Sequence, residues 1–396
     1  MKVRVDTLLI KTQFLVLIGI VIMQVLNLPE VASALFMMTF FLTMAFWLME
    51  LERRINKTNL LAIGIMVVSF ISVAVNAMVT DAVLSFSYVK KLIMFWSTVL
   101  FFAAMTEYKP DKSVLNLVFR TNTLLAVFLL IMYLTMPDEM HTFNEQVTIY
   151  LTFRFTNPNL TAAFLSSVCI LQMVYTYATR KWYVKLLNTV LIVALIVLIL
   201  DTKARTSWIL MAVFLLAYAV VNLLPKIRWR MTKRLAWFIA WLPLLFALLY
   251  MELVNNARIQ EIFSFLVNRG KLLDARVEIW TDALEAIKAS PVIGAYNQIS
   301  DGTGESQMHN SLLDIAASYG IPVMLILGNF LRRVLYTGKD GPQGKRNFIC
   351  IMGFSALLMS GIGEAMIFSG GLGIYLYAGI LRMLANYDFE DRKVLK

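Results

Sequence analysis

The stretch "WYVKLLNTVLIVALIVLILDTKARTSWILMAVFLLAYAVVNLL" at 182–224 decides the fold. It holds two apolar runs, 184–200 and 205–224, parted only by the polar "DTKA". A helix that crosses the hydrocarbon core of a bilayer needs roughly 20 mostly apolar residues. Each run supplies close to that, so the stretch reads as two membrane-spanning helices joined by a tight turn. The whole chain of 396 residues carries the same signal: it is 59% hydrophobic and 15% charged, with a mean hydropathy of +0.72. A soluble domain of this length has no use for so much apolar surface.

Hydropathy places twelve spans at about 8–27, 32–50, 59–79, 87–106, 114–135, 158–178, 184–200, 205–224, 235–253, 309–331, 347–367 and 370–386. The first is followed directly by the second with no small-residue cleavage site, so it reads as a retained span. The expected fold is all-α and polytopic: one integral membrane domain over 1–396, with a large loop at 254–308. The net charge of +11 does not mark a nucleic-acid binder. Most Lys and Arg residues lie in short loops that fall on one side, such as Lys226, Arg228, Arg230, Lys233 and Arg234. By the bias of positive charge toward the cytoplasm, both termini are expected inside. The long segments 136–157 and 254–308 are then expected outside. Cys169 and Cys350 both fall within apolar runs, with no zinc spacing and no disulfide framework.

Within the large loop, "LLDARVEIWTDALEAIKAS" at 272–290 predicts an amphipathic helix. Leu273, Val277, Trp280, Leu284 and Ile287 recur at intervals of three and four. Ser290-Pro291 ends it. Its apolar face can lie on the membrane surface or on the spans beneath it. The loop then returns through Gly- and Ser-bearing sequence to "QMHNSLLDIAASYG" at 307–320, which holds one of the two histidines of the chain.

With the N-terminus inside, the unusual polar residues gather at the outer face. His309 and Asn310 open the tenth span. Arg205 opens the eighth. Arg154 and Asn159 flank the start of the sixth, Lys90 and Lys91 the start of the fourth. Asp314 lies about one and a half turns below His309, and Glu364 falls near the outer end of the eleventh span. Ionisable groups at membrane depth are costly and default to a functional reading. Cations at one face beside an apolar region suit a lipid-borne pyrophosphate, because Arg offers a bidentate fork to phosphate oxygens. A histidine relays a proton near neutral pH. The chemistry that joins these parts is glycosyl transfer from a lipid pyrophosphate to a sugar hydroxyl. No Asp-x-Asp motif or metal-spaced cluster is present in the sequence, so arginines, rather than a metal ion, are expected to meet the charge of the departing pyrophosphate. No cofactor is expected.

Each residue also has a plainer reading. His309 and Asn310 can cap a helix, Arg205 can anchor at the interface, and Arg276 can sit on the solvated face of the loop helix. Lys90 and Lys91 can be interface anchors, and Arg120 can reach toward the inner face. Glu364 can pair structurally, and His141 reads as a surface residue.

The residues that raise the chemistry also carry a resemblance. "RFTNPN" at 154–159, "TKARTSW" at 202–208, "ARVEIWTDALEAIKASPVIGAYN" at 275–297 and "HNSLLDIAASYGI" at 309–321 resemble the O-antigen ligase and O-antigen polymerase superfamily of bacterial envelope glycosyltransferases. The family's ordered pattern of Arg, Trp, Pro-x-x-Gly, His-Asn and Gly falls on Arg276, Trp280, Pro291, Gly294, His309, Asn310 and Gly320. Ala204 stands where the family usually has Ser, and Ser318-Tyr319-Gly320 where it often has Glu-x-Gly, which leaves the subfamily open. The resemblance implies a GT-C-like fold in the bacterial cytoplasmic membrane with an extracytoplasmic active site. It implies Arg276, Arg205 and His309 as catalytic residues. Arg154, Asn159, Lys90, Lys91, Asn310, Asp314, Glu364 and Trp280 are then expected around the substrate. The implied partners are an undecaprenyl-pyrophosphate-linked oligosaccharide, an acceptor glycan and the lipid bilayer, with a chain-length regulator or other polysaccharide-assembly proteins as further candidates. A polymerase of repeat units is the leading reading. A ligase that moves a finished glycan to a lipid, a wall polymer or a protein shares the same donor chemistry. A transporter or flippase, and a sensor or scaffold, are the remoter classes.

Overall fold

The computed structural model of the chain describes residues 5–53, 55–80, 86–143, 149–155, 157–224, 229–255, 271–295, 309–336, 344–362, 367–368 and 373–387. It is a bundle of helices, as expected. Helices α1 (Val5–Val25), α2 (Pro29–Arg53), α3 (Lys57–Thr80), α4 (Phe86–Glu107) and α5 (Lys112–Thr135) come first. A short helix α6 (Pro137–Met140) leads into an antiparallel hairpin of β1 (His141–Phe143) and β2 (Ile149–Leu151), in which His141 pairs with Leu151. Next are α7 (Pro158–Ala178), α8 (Trp182–Asp201), α9 (Arg205–Leu223) and α10 (Lys233–Asn255). The large loop contributes α11 (Lys271–Ala289). The chain closes with α12 (Ser311–Tyr319), α13 (Ile321–Leu335), α14 (Lys345–Met359), a 3-10 turn at Ser360–Ile362, and α15 (Ile374–Leu384).

Among the described residues, nine helices are long and apolar enough to cross a membrane, and they are the first nine expected spans. Their outward faces are greasy rather than polar. On α8 the residues Trp182, Leu186, Val190, Val193, Val197 and Leu200 are exposed, while Leu191, Leu195 and Leu198 on the other face are buried. Apolar on both faces is what a helix needs when lipid replaces water outside. The interior helix α7 is buried along most of its length, with small residues such as Ala162, Ala163, Ser166 and Ser167 that allow close approach.

Among the described residues, shorter helices stand at the last three expected spans. The tenth, read as one run over 309–331, is two helices that break at Gly320. For the eleventh the described residues give α14 and the 3-10 turn at 360–362, and for the twelfth they give α15 from Ile374, with Gly373 before it at φ +68°. The break at Gly320 has a specific cause. In an unbroken helix the Ile321 N–H would donate to the Ala317 carbonyl. Here Ile321 N–H donates to the Pro291 carbonyl (2.9 Å), and the Ala317 carbonyl accepts from Ala295 N–H (2.7 Å). The segment 291–295 thus inserts into the helix ladder and satisfies both groups. Gly320 holds φ +91°, and a Cβ there would meet the Val292 carbonyl oxygen at 2.1 Å. Gly294 holds φ +65°, and its Cβ would meet the Ser318 carbonyl at 2.6 Å. From the other side, α3 clamps the same turn. Ser72 Oγ donates to the Ile293 carbonyl (2.6 Å), and Asn76 Nδ2 donates to the carbonyls of Ile293 and Gly294 (2.8 Å each).

Candidate active site at one end of the bundle

Two sets of contacts mark the two ends of the bundle. At one end Thr7 Oγ1 meets Tyr108 Oη (3.2 Å), and the buried Arg382 donates to the carbonyls of Val334 (2.6 Å) and Thr106 (3.3 Å). The opposite end gathers the close of α1, the hairpin, the α8–α9 turn, the start of α7 and of α12, and the 291–295 segment. The described residues expected at the outer face, Lys90, Lys91, Arg154, Asn159, Arg205, His309, Asn310 and Asp314, belong to the elements of this second end.

Arg205 is the first residue of α9 and is exposed. The turn before it is tightly held. Thr202 Oγ1 donates to the Ile199 carbonyl (2.6 Å), and Lys203 adopts φ +56° with its ammonium 5.6 Å from the Tyr150 ring. His309 is half-buried and adopts φ +46°, a left-handed conformation that costs a non-glycine residue free energy. Asn310 is fully buried and caps α12. Its Oδ1 accepts from the N–H groups of Leu312 and Leu313 (3.2 Å each), and its Nδ2 donates to the Pro243 carbonyl of α10 (2.8 Å) and the Ile362 carbonyl (3.4 Å). Asn310 therefore takes its plainer reading, as a cap and a latch. Ser311 Oγ adds a bond to the Gly361 carbonyl (3.2 Å). The 3-10 turn at 360–362 also touches α9, so the helices that begin near Arg205 and His309 share one neighbour. The N-terminus of α9 has no side-chain cap, whereas that of α12 is capped by Asn310; both helices turn the positive end of a dipole toward this end.

The loop helix α11 carries Arg276, and it settles the choice left open for its apolar face. It lies on the spans beneath. Trp280 is buried against Ala247, Met251 and Leu313, with ring centroids 5.8 Å from Tyr250 and 6.5 Å from Phe246. Ala283 packs on Ala317. Trp280 thus works as the anchor that seats α11 against α12. The side chain of Arg276, and Glu364 altogether, lie outside the described residues.

Three expected ligands are engaged with other side chains. Lys91 Nζ lies 3.2 Å from Asp314 Oδ1, with 18% and 4% of the two side chains exposed, and this pair ties α4 to α12. Arg154, at φ +60°, pairs with Glu139 and donates from Nη1 to the Val25 carbonyl (3.2 Å). Lys90 is half-buried beside Lys91, and the Asn159 N–H donates to Oδ1 of the α7 cap Asn157 (2.7 Å).

Sequence reasoning missed one cluster at the same end. His141, expected as a surface residue, places Nε2 2.9 Å from Asp201 Oδ2 and Nδ1 2.6 Å from the Pro137 carbonyl. The Tyr133 hydroxyl donates to the same Asp201 oxygen (3.2 Å). The available signal was slight: Asp201 is an acid at the end of an apolar run, four residues before Arg205.

Residues 190–328 match the family model Wzy_C, O-antigen ligase. That match supports the O-antigen ligase and polymerase superfamily, the one the motifs resemble. It runs from the middle of α8 to the middle of α13 and so includes Arg205, Arg276, Trp280, His309, Asn310 and Asp314. Lys90, Lys91, Arg154, Asn159 and Glu364 lie beyond it. No curated protein and no solved structure matches the chain. An O-antigen-ligase-type segment inside a bundle of apolar spanning helices is the setting of a membrane glycosyltransferase.

Proposed function

We propose that the protein transfers a glycan from undecaprenyl pyrophosphate to a sugar hydroxyl at the outer face of the bacterial cytoplasmic membrane, as a polymerase of surface-polysaccharide repeat units. One observation carries this reading: the family-matched stretch contains Arg205, Arg276 and His309, and within it α11 packs on α12, the helix that follows His309, while α9 and α12 share the 3-10 turn at 360–362 as a neighbour.

In this mechanism Arg205 and Arg276 hold the pyrophosphate and stabilise the charge that grows on it as the anomeric carbon–oxygen bond breaks. His309 takes the proton from the acceptor hydroxyl as that oxygen bonds to the anomeric carbon. Attack from the face opposite the departing pyrophosphate inverts the anomeric centre. The strained backbone of His309 and the latch at Asn310 fix where the imidazole starts. The products are a longer chain on one carrier and free undecaprenyl pyrophosphate. Charge stabilisation by guanidinium groups takes the place that a metal ion holds in other phosphate-leaving reactions.

The test is a deletion strain complemented with wild-type protein, His309→Ala or Arg276→Ala, with surface glycans and lipid-linked intermediates resolved on gels. Polymerase loss leaves single repeats on the carrier in both variants. Long chains stranded on the carrier would instead assign a ligase. Wild-type profiles from both variants would remove the enzyme reading.

A further inference from the structure

We infer that Asp201, held by His141 and Tyr133, is a binding group for the acceptor sugar. The inference rests on the glycosyl transfer proposed above and names which substrate meets this part of the site.

The geometry is that of a fixed carboxylate with one open oxygen. Asp201 Oδ2 takes both protein donors, His141 Nε2 at 2.9 Å and the Tyr133 hydroxyl at 3.2 Å. Oδ1 has no protein partner among the described residues, and 31% of the Asp201 side chain is exposed against 16% for His141. The holder is itself held: His141 Nδ1 faces the Pro137 carbonyl at 2.6 Å, and the Tyr133 and His141 rings pack with centroids 5.8 Å apart. Three separate elements therefore converge to aim one carboxylate: the last turn of α5, the start of β1 and the end of α8. Both protein contacts fall on Oδ2, which leaves Oδ1 of this partly exposed side chain available to a ligand.

The chemistry of the ligand follows from charge. Arg205 stands four residues on, across the turn fixed by Thr202. A carboxylate this close to a pyrophosphate-binding arginine opposes a second anion, yet it suits the hydroxyl groups of a neutral sugar, which donate to it. One aromatic ring, Tyr133, borders it directly, and Lys203, two residues on, lies over the ring of Tyr150 in the adjoining hairpin. A hydroxyl-rich acceptor bound at Asp201 Oδ1 lies beside the donor pyrophosphate at Arg205 without competing for it. Asp201 and its two holders are positioning residues. His309 remains the group that moves the proton.

The experiment uses the full chain in nanodiscs with the lipid-pyrophosphate-linked repeat unit of its own strain as donor and the same repeat unit, freed from its carrier by mild acid, as acceptor. Asp201→Asn is expected to raise the acceptor KM by about tenfold or more, the scale for a hydrogen bond to a charged acceptor, with the donor KM unchanged. Tyr133→Phe is expected to raise it by a smaller factor. His141→Gln, which keeps a donor for Oδ2, is expected to stay closer to wild type than His141→Phe. An acceptor KM unchanged in Asp201→Asn, or a change confined to the donor KM, overturns the inference. If Asp201→Asn does not fold, the His141 and Tyr133 variants decide by the same readout. Saturation-transfer NMR of the freed oligosaccharide on wild type and Asp201→Asn separates the two proposals. Binding lost in the variant, in a protein that transfers nothing, keeps this site and removes the transferase; transfer with an acceptor KM indifferent to Asp201 does the reverse.

Discussion

Gly320→Ala is the sharpest probe of how the active-site elements are held. The added Cβ lands 2.1 Å from the Val292 carbonyl oxygen and 2.6 Å from its carbon, both backbone atoms with no rotamer to yield. The segment 291–295 must back away, and it then loses two bonds, Ala295 N–H to the Ala317 carbonyl and Ile321 N–H to the Pro291 carbonyl. Each is worth about 0.5–1.5 kcal/mol net. Holding alanine at φ +91° adds on the order of 1–3 kcal/mol. The sum is about 2–6 kcal/mol against the docked loop, an upper range because terms that arise at one contact are coupled and do not simply add. The nine long helices do not depend on that contact, so the cost falls on the seating of α11 and its Arg276 against the helix that follows His309. The expected result is a protein that purifies with a normal elution profile but loses hydrogen-exchange protection over 271–295 and loses glycan transfer. Gly64→Ala, in α3, is the matched control, since its Cβ would meet nothing closer than 4.0 Å. Full protection over 271–295 together with wild-type transfer in Gly320→Ala would refute the lock.

Two further outcomes follow from the packing around that lock. Trp280→Ala removes the ring that α11 buries against Tyr250, Phe246 and Leu313; the cost is about 3–5 kcal/mol, and hydrogen exchange is expected to rise across α11 while α1 to α9 stay protected. Lys91→Met strands the Asp314 carboxylate, which has only 4% of its side chain exposed. The loss in detergent thermal unfolding is expected at or below about 3–5 kcal/mol, reduced because Lys91 keeps some contact with solvent. Adding Asp314→Leu is expected to recover most of it. A double variant no better than Lys91→Met alone would mean that the lysine serves a ligand and not its partner across the helices.

These outcomes turn on contacts that a single sequence conceals, and the reason differs from case to case. The first nine spans are legible because a twenty-residue apolar run needs no partner to be recognised; its solvent is the partner. The face of α11 is legible for a similar reason, since Leu273, Val277, Trp280, Leu284 and Ile287 share it by helical spacing alone. What that face rests on is not, because Leu313 and Met251 belong to other elements. The break at Gly320 has local signs, a glycine with Pro322 two residues on, yet the apolar run passes through them. The two freed backbone groups are satisfied by a segment some 25 residues earlier, which no local pattern announces. Polar pairs are hidden more deeply still. Lys91 and Asp314 each look like a costly membrane charge in need of a ligand, and each supplies the other across 223 positions. His141 and Asp201 look ordinary apart and form an aimed carboxylate together. For a membrane enzyme, then, an ionisable residue near a span end points to function by default only until its neighbour is known. Once Lys91, Asp314 and Arg154 are paired off, Arg205 is left exposed four residues from a carboxylate with an open oxygen, and the proposed meeting of a charged donor and a neutral acceptor rests on that contrast.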